Sequence, residues 1–399
     1  MDSAIAFYRT PCCKYYRLSF NNMKNITNLL ILHPDMRIGG AERQIVNLIK
    51  GLGESGFYRV VVALYEIEGP LISEILDLPN VEIIEVGKFS KRPIRVLQKL
   101  RKIIKREQTD VLYTFLVGPN IAGSVLRWIA PLHKFVWGNR VSKFEEREFG
   151  IKGVVANYFA RFCIKSADLV ISNSYAGLRD LVDARMHAER KIVIHNGIDT
   201  TIYFQSEERR VKARELMGLE SQAIVIGIIG RLVEWKGADI FLKAGGELIV
   251  RHPDVKFVVV GDGDPNWKES LVRAAGENGL EDNISWMGSR LDVEILLNGI
   301  DILTVCSTSG EGFPNIIGEA MASGTAVVAS DVGDNRIILD DNELLVPVND
   351  IWSLMRAWSA LVENREYRNS VGEKGIRLVK KHYTIDGMVQ NTDKVLRET

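Results

Sequence analysis

Three short segments carry residue types able to handle a phosphorylated ligand. Gly39-Gly40-Ala41-Glu42 lies between an apolar run and a helix-spaced set, Ile45, Leu48, Ile49 and Leu52. Two glycines at a strand-to-helix turn let a ligand approach the backbone. The helix N-terminus adds free N–H groups and a positive dipole end. That suits a diphosphate. A plain tight turn would read the same way, and the G-x-G-x-x-G dinucleotide pattern is absent. Gly230-Arg231-Leu232 ends another apolar run, and Lys236-Gly237 follows. A guanidinium and an ammonium at a strand's carboxyl end can hold two phosphates or stabilise a leaving diphosphate. Solvated side chains on a surface loop are the alternative.

The third segment runs Glu311-Gly312-Phe313-Pro314-Asn315-Ile316-Ile317-Gly318-Glu319. Gly312 and Pro314 shape a loop, and a helix is predicted from Asn315, so its first backbone N–H groups form a second anion site. Asn315 and Glu319 are i,i+4 and share a face. Glu311 precedes the turn and Glu319 sits one turn inside the helix. The two carboxylates can therefore meet different parts of one ligand, Glu319 a sugar diol and Glu311 a hydroxyl or amide further along. A surface-loop glutamate plus an ordinary helix charge is the competing reading.

Such residues need strands to carry them. Apolar runs fall at 27–33, 59–65, 81–86, 110–115, 134–137, 168–172 and 191–195. They resume at 223–229, 255–260, 283–287, 301–305, 325–329 and 344–347. Most are continuous Val/Ile/Leu runs, which indicates strands buried on both faces and hence parallel sheets covered by helices. Asn196-Gly197-Ile198-Asp199 is a turn signal, and a charged segment from Glu207 to Glu215 follows. Two open α/β sheets are expected, with ligands beyond the carboxyl ends of their strands. The divisions are an N-terminal extension 1–22, a first domain 23–200, a second domain 201–383, and a C-terminal helix 384–399 that packs back on the first domain.

The 399 residues are 46% hydrophobic and 26% charged, so the chain is globular and long enough for two cores. No apolar run approaches the ~20 residues of a spanning helix, and residues 1–22 show no secretory h-region. Cys12, Cys13, Cys163 and Cys306 have neither disulfide-framework nor zinc-site spacing, which fits a reducing cytoplasm. Net charge is zero but divided: residues 1–200 carry 29 Lys and Arg against 20 Asp and Glu, and the remainder is acidic. Residues 88–106 hold nine basic residues and no acidic one. Their apolar members Ile94, Val96, Leu97, Leu100, Ile103 and Ile104 recur at helical spacing. An apolar stripe turned inward and charge turned toward an anionic membrane are both compatible with this pattern.

Taken in order, these marks resemble the retaining nucleotide-sugar glycosyltransferases of family 4. The resemblance covers residues 24–399 and includes the Gly-Asp-Gly turn at 261–263. It implies an α/β fold of two facing Rossmann-like domains with parallel sheets, the GT-B architecture, and a ligand cleft between them. It also implies roles. Gly39 and Gly40 would approach the donor phosphates and the acceptor. Arg231 and Lys236 would hold the diphosphate and neutralise it as it leaves. Glu311 would touch the transferred sugar, making Arg231, Lys236 and Glu311 the catalytic set, and Glu319 would bind ribose. Gly312, Phe313, Pro314, Asn315 and Ile316 would supply backbone N–H groups, and the loop Met287 to Arg290 would cradle the base.

Many members carry a histidine after the fourth strand, where this chain reads Tyr113-Thr114-Phe115-Leu116. That is similar to the branch building bacterial surface polysaccharides, in which an arginine follows the next strand, as Arg140 does here. His195 reads as a core or hinge histidine. Asp262-Gly263-Asp264 reads as a turn rather than a metal site, and the cations make a divalent ion unnecessary. The expectation is a retaining glycosyltransferase without cofactor or metal. It would use a nucleoside-diphosphate sugar and a saccharide or lipid-linked saccharide acceptor, bind no nucleic acid, and sit peripherally on the inner face of the membrane. A nucleotide-sugar epimerase of the same architecture and a non-catalytic sugar-nucleotide sensor are the alternatives.

Overall fold

Two all-parallel sheets organise the chain in this computed structural model, which describes residues 26–140, 158–340 and 343–398. The extension 1–22, with Cys12 and Cys13, lies outside the described residues. The first sheet has seven strands in the order β3-β2-β1-β4-β5-β6-β7. They are β1 Thr27–His33, β2 Tyr58–Leu64, β3 Val81–Glu85, β4 Val111–Phe115, β5 Lys134–Asn139, β6 Leu169–Ser172 and β7 Lys191–Val193. The second has six in the order β10-β9-β8-β11-β12-β13. These are β8 Val225–Ile229, β9 Lys256–Val260, β10 Ile284–Gly288, β11 Ile302–Val305, β12 Ala326–Ser330 and β13 Leu345–Val346. Each expected apolar run became a strand. Most bounds shift by a residue or two, because pairing with a neighbour, not hydropathy, ends a strand.

Both sheets are covered on both faces, as their uninterrupted apolar strands require. In the first, Leu29, Ile31, Val60 and Val62 point to one core, and Leu30, Leu32, Val61 and Ala63 to another. In the second, Phe241, Phe257 and Trp358 stack edge to face in one layer, with ring centroids 5.4–6.0 Å apart. The strand order reverses between β1 and β4 and again between β8 and β11, and at such points the connections diverge and open a crevice. The chain returns at its end. Helix Ile385–Arg397 places Met388, Val395 and Leu396 in the first domain's core. Tyr58 donates to Asp393 at 2.8 Å, and Lys134 donates to the Val395 carbonyl at 2.6 Å.

Helix Pro93–Arg106 buries Val96, Leu100, Ile103 and Ile104 against the sheet. Its other face exposes Arg95, Arg101, Lys102 and Lys105. Among the described residues no helix is long and apolar enough to cross a membrane.

Candidate active site

The carboxyl ends of β8 and β11 bring Lys236 and Glu311 together. β8 ends at Ile229, and the chain turns through Gly230 and Arg231 into a short 3-10 turn, Glu234–Lys236. Gly237 follows with φ 70°, and a Cβ there would stand 2.2 Å from the Cys306 carbonyl oxygen. Only glycine fits this left-handed, close approach. It seats Lys236 against the end of β11. Lys236 Nζ donates to Glu311 Oε1 at 2.5 Å, and Ser307 Oγ donates to the same oxygen at 2.6 Å. Glu311 is 6% exposed, and these two donors satisfy its buried Oε1. Arg231 is exposed and forms no ion pair among the described residues, which leaves its fork of donors available.

Helix Asn315–Ala322 begins directly after, with Pro314 as its N-cap. Gly312, Phe313 and Pro314 form the approach. The Phe313 side chain is buried against His195 and Tyr383, so only its backbone can face a ligand. Ile316 is half-buried against the core below the helix. Glu319 lies one turn inside the helix and has no side-chain hydrogen-bond partner among the described residues. Burial pushes its carboxyl up to about 7; Arg43 of the first domain opposes this and Glu294 adds to it. A buried carboxylate without donors is poised to accept hydrogen bonds from a diol.

The first domain meets this helix directly. Gly39 and Gly40 open helix Gly40–Glu54, and Asn315 Nδ2 donates to the Gly40 carbonyl at 3.2 Å. Asn196 Nδ2 donates to Asn315 Oδ1 at 2.7 Å, and Arg140 donates to Asn196 Oδ1 at 2.8 Å. Glu42 folds back over Gly39, with its carboxyl raised chiefly by burial. His33 ends β1 beside it, 3.8 Å away. Burial lowers the His33 imidazole to about 4, so it is neutral at pH 7. Leu116, directly after β4, takes φ 71°.

A second contact joins the domains. Asp334, fully buried, accepts from the backbone N–H groups of Tyr175 and Ala176 at 2.7 and 2.8 Å. His195 Nε2 lies 3.2 Å from the same carboxylate. A second-domain aspartate thus caps the first-domain helix Tyr175–Asp183 beside its N-cap Ser174. The Asp334 N–H donates to the Gly312 carbonyl at 3.1 Å, tying this contact to the Glu311 loop.

Met287 and Arg290 stand apart from this cluster, at the end of the edge strand β10. Arg290 forms a bidentate pair with Asp292 at 2.6 and 2.8 Å, so its guanidinium is occupied and the loop offers backbone there. Asp262 pairs with Lys268 at 3.1 Å, and Asp264 caps helix Pro265–Glu277. The sequence reading did not single out Ser307, Asp334, His33 or Arg43. Serine after a strand and aspartate in a turn carry no local signal, since what distinguishes them is the partner across the fold.

The family described as Glycosyltransferase Family 4 matches residues 38–202, and that described as Glycosyl transferases group 1 matches residues 223–364. The chain belongs to glycosyltransferase family 4. Among curated family members it is 29% identical over 223 residues to D-inositol 3-phosphate glycosyltransferase of Corynebacterium aurimucosum, covering 53% of each chain. It is 26% identical over 235 residues to the lipopolysaccharide core biosynthesis mannosyltransferase LpsB of Rhizobium meliloti, covering 57% of this chain and 65% of that one. The matched region thus spans between half and two thirds of these relatives' length. Anabaena Alr3699/HepE in complex with UDP has the same fold. Its TM-score is 0.81 at 22% identity, over 94% of this chain and all of that one. WaaG, a glycosyltransferase involved in lipopolysaccharide biosynthesis, superposes with a TM-score of 0.71 at 16% identity, over 93% and 100%. The architecture is GT-B.

Proposed function

We propose that the protein is a retaining glycosyltransferase that moves a sugar from a nucleoside diphosphate to a saccharide acceptor. The observation that carries this reading is the convergence of Lys236, Glu311 and Ser307 at the end of β11, within a loop of the first domain's Gly39-Gly40 turn. Arg231 and Lys236 bind the diphosphate and stabilise it as the leaving group, while Glu311, released by Lys236, accepts from the transferred sugar. Glu319 takes the ribose hydroxyls. Helix Asn315–Ala322 points its N-terminus at a phosphate. Catalysis then rests on positioning and charge, and requires no metal.

Family membership supports a transferase, and Anabaena HepE holds UDP, and UDP-glucose in another structure. The acceptor is lipid-linked and the product a surface polysaccharide or glycolipid. Support comes from the lipopolysaccharide role named for two similar proteins and from the basic outer face of helix Pro93–Arg106. That face attracts an anionic membrane without insertion. Incubation with a panel of UDP- and GDP-sugars, with and without lipid-linked saccharide acceptors, tests the reading. Transfer is expected. An isomerised donor would indicate an epimerase, and binding without turnover a sensor; either result would overturn it.

A further inference from the structure

The amino ends of β8, β11 and β12 border a cavity of about 670 Å³ in the second domain, where Ile224, Asp301 and Thr325 line it. The catalytic residues stand beyond the opposite, carboxyl ends, a five-residue strand or about 16 Å away. Four arginines share the lining. Arg210 and Arg214 come from helix Glu207–Met217, and Arg365 and Arg368 from the start of helix Arg365–His382. Two buried polar atoms of the lining residues have no hydrogen-bond partner among the described residues. One is Arg214 Nε, on a side chain 3% exposed. Arg214 Nη1 donates to the Glu220 and Ala223 carbonyls at 3.1 and 2.6 Å, and Nη2 to Asp301 at 2.6 Å. The other is Ser323 Oγ, also 3% exposed, directly after helix Asn315–Ala322. Buried donors are normally satisfied, so two at one cavity mark a place for acceptors.

Charge decides what those acceptors belong to. Four carboxylates lie in the same lining, and three of them are engaged. Asp301 is shared by Arg210 and Arg214, at 2.9 and 2.6 Å. Glu363 lies 3.1 Å from His252 and Glu373 3.7 Å from Arg377, both partners outside the lining. The fourth, Glu207, sits in the first turn of its helix, where the dipole stabilises it. Arg368 donates to the Leu361 and Val362 carbonyls, and Arg365 is exposed. Neither has an ion pair among the described residues, so no carboxylate answers this second pair of guanidiniums. Burial lowers the Arg368 pKa; Asp301 opposes this, while Arg365 and Arg210 add to it. An anion relieves like charges crowded in this way. Guanidinium forks match the oxygens of a phosphoryl group, and helix Arg365–His382 turns its positive end to the same rim. The volume falls within the ~300–1,000 Å³ of small-molecule sites, so more than a bare phosphate fits.

We propose that this cavity is a second ligand site, for a small phosphorylated molecule, separate from the catalytic cleft. Arg365 and Arg368 donate to its phosphoryl oxygens, and the buried Ser323 hydroxyl and Arg214 Nε supply further donors. This binding does not rest on the transferase reading. Calorimetric titration of the whole protein with inorganic pyrophosphate tests it, at constant ionic strength and with UDP present to fill the cleft. The wild type should bind. Affinity should fall about tenfold in Arg365→Gln, an exposed position, and in Ser323→Ala, which loses only a hydroxyl, as each removes a donor to the anion. Arg231→Ala, altered in the cleft, should bind pyrophosphate as the wild type does. No binding by the wild type, or equal affinity in wild type, Arg365→Gln and Ser323→Ala, would overturn the second site. A loss confined to Arg231→Ala would also overturn it, by placing the anion in the cleft. Failure of UDP to bind the wild type would instead count against the transferase reading and leave the Arg365 and Ser323 comparison standing.

Discussion

Arg231 and Lys236 have different surroundings although they are proposed to share a task. Each, changed to Ala, should lower turnover by ~10²–10³, the cost of losing a donor to developing negative charge. Their stabilities should separate. Arg231 is exposed, so Arg231→Ala leaves the melting temperature unchanged. Lys236→Ala leaves the buried Glu311 carboxylate with Ser307 alone, so it melts lower as well. Steady-state kinetics with thermal melts on both variants checks this. Glu319 adds a pH dependence. Its carboxyl is raised to about 7 in the fold against 4.5 when unperturbed, so the folded protein holds the extra proton. Stability from this group is present below pH 4.5 and lost as pH rises toward 7. His33, lowered to about 4 from 6.5, acts oppositely: its contribution is present above 6.5 and is lost as pH falls toward 4. Glu319→Gln should therefore raise the melting temperature at pH 8 and weaken nucleoside diphosphate binding at the same pH. Calorimetric titration at pH 6 and 8 should show wild-type binding improving with pH, and the variant's staying flat.

The elements place these residues by contacts of unequal legibility. The strands could be read because parallel strands covered on both faces must be continuously apolar, as in β1 (Leu29 to Leu32) and β9 (Phe257 to Val260). The glycines at 230, 237 and 261 signalled turns, and the structure shows why: at Gly261 a Cβ would collide with the Gly230 carbonyl oxygen at 1.8 Å. The Asp334 contact could not be read, because its partners are backbone N–H groups about 160 residues away on another domain. Asp334→Ala should speed amide exchange at Tyr175 and Ala176 about fivefold, a cap worth ~1 kcal/mol. Hydrogen-exchange mass spectrometry over helix Tyr175–Asp183 measures it, and unchanged exchange would remove the capping role. Helix Pro93–Arg106 had both readings open. Val96, Leu100, Ile103 and Ile104 of the expected stripe are buried, whereas Ile94, in the first turn, is exposed, and the basic residues face outward. Lys99, Lys102 and Lys105 changed together to Gln should weaken flotation with anionic liposomes at low salt, and wild-type binding should fall at 1 M salt, where the Debye length is ~3 Å. Equal flotation of the triple variant would reduce the helix to a solvated cover.

At the scale of the whole molecule, two sheets meet through both polar and apolar contacts. Asn315 to Gly40, Asn196 to Asn315, and Asp334 to the helix at Tyr175 are polar. His195 packs on Phe313 and Tyr383, and Ile198 enters the second domain's core. In the proposed function Arg231 and Lys236 are the cations for the leaving diphosphate, so full activity is expected in excess EDTA. The central claim is that sugar passes from a nucleoside diphosphate to an acceptor at the Lys236–Glu311 site with its anomeric configuration kept. The most direct measurement is NMR of the anomeric proton of the product formed from an α-configured donor in EDTA, for wild type and Glu311→Ala. An α-linked product from the wild type, formed far more slowly by the variant, is the predicted result. A β-linked product, or equal rates from both proteins, would contradict it.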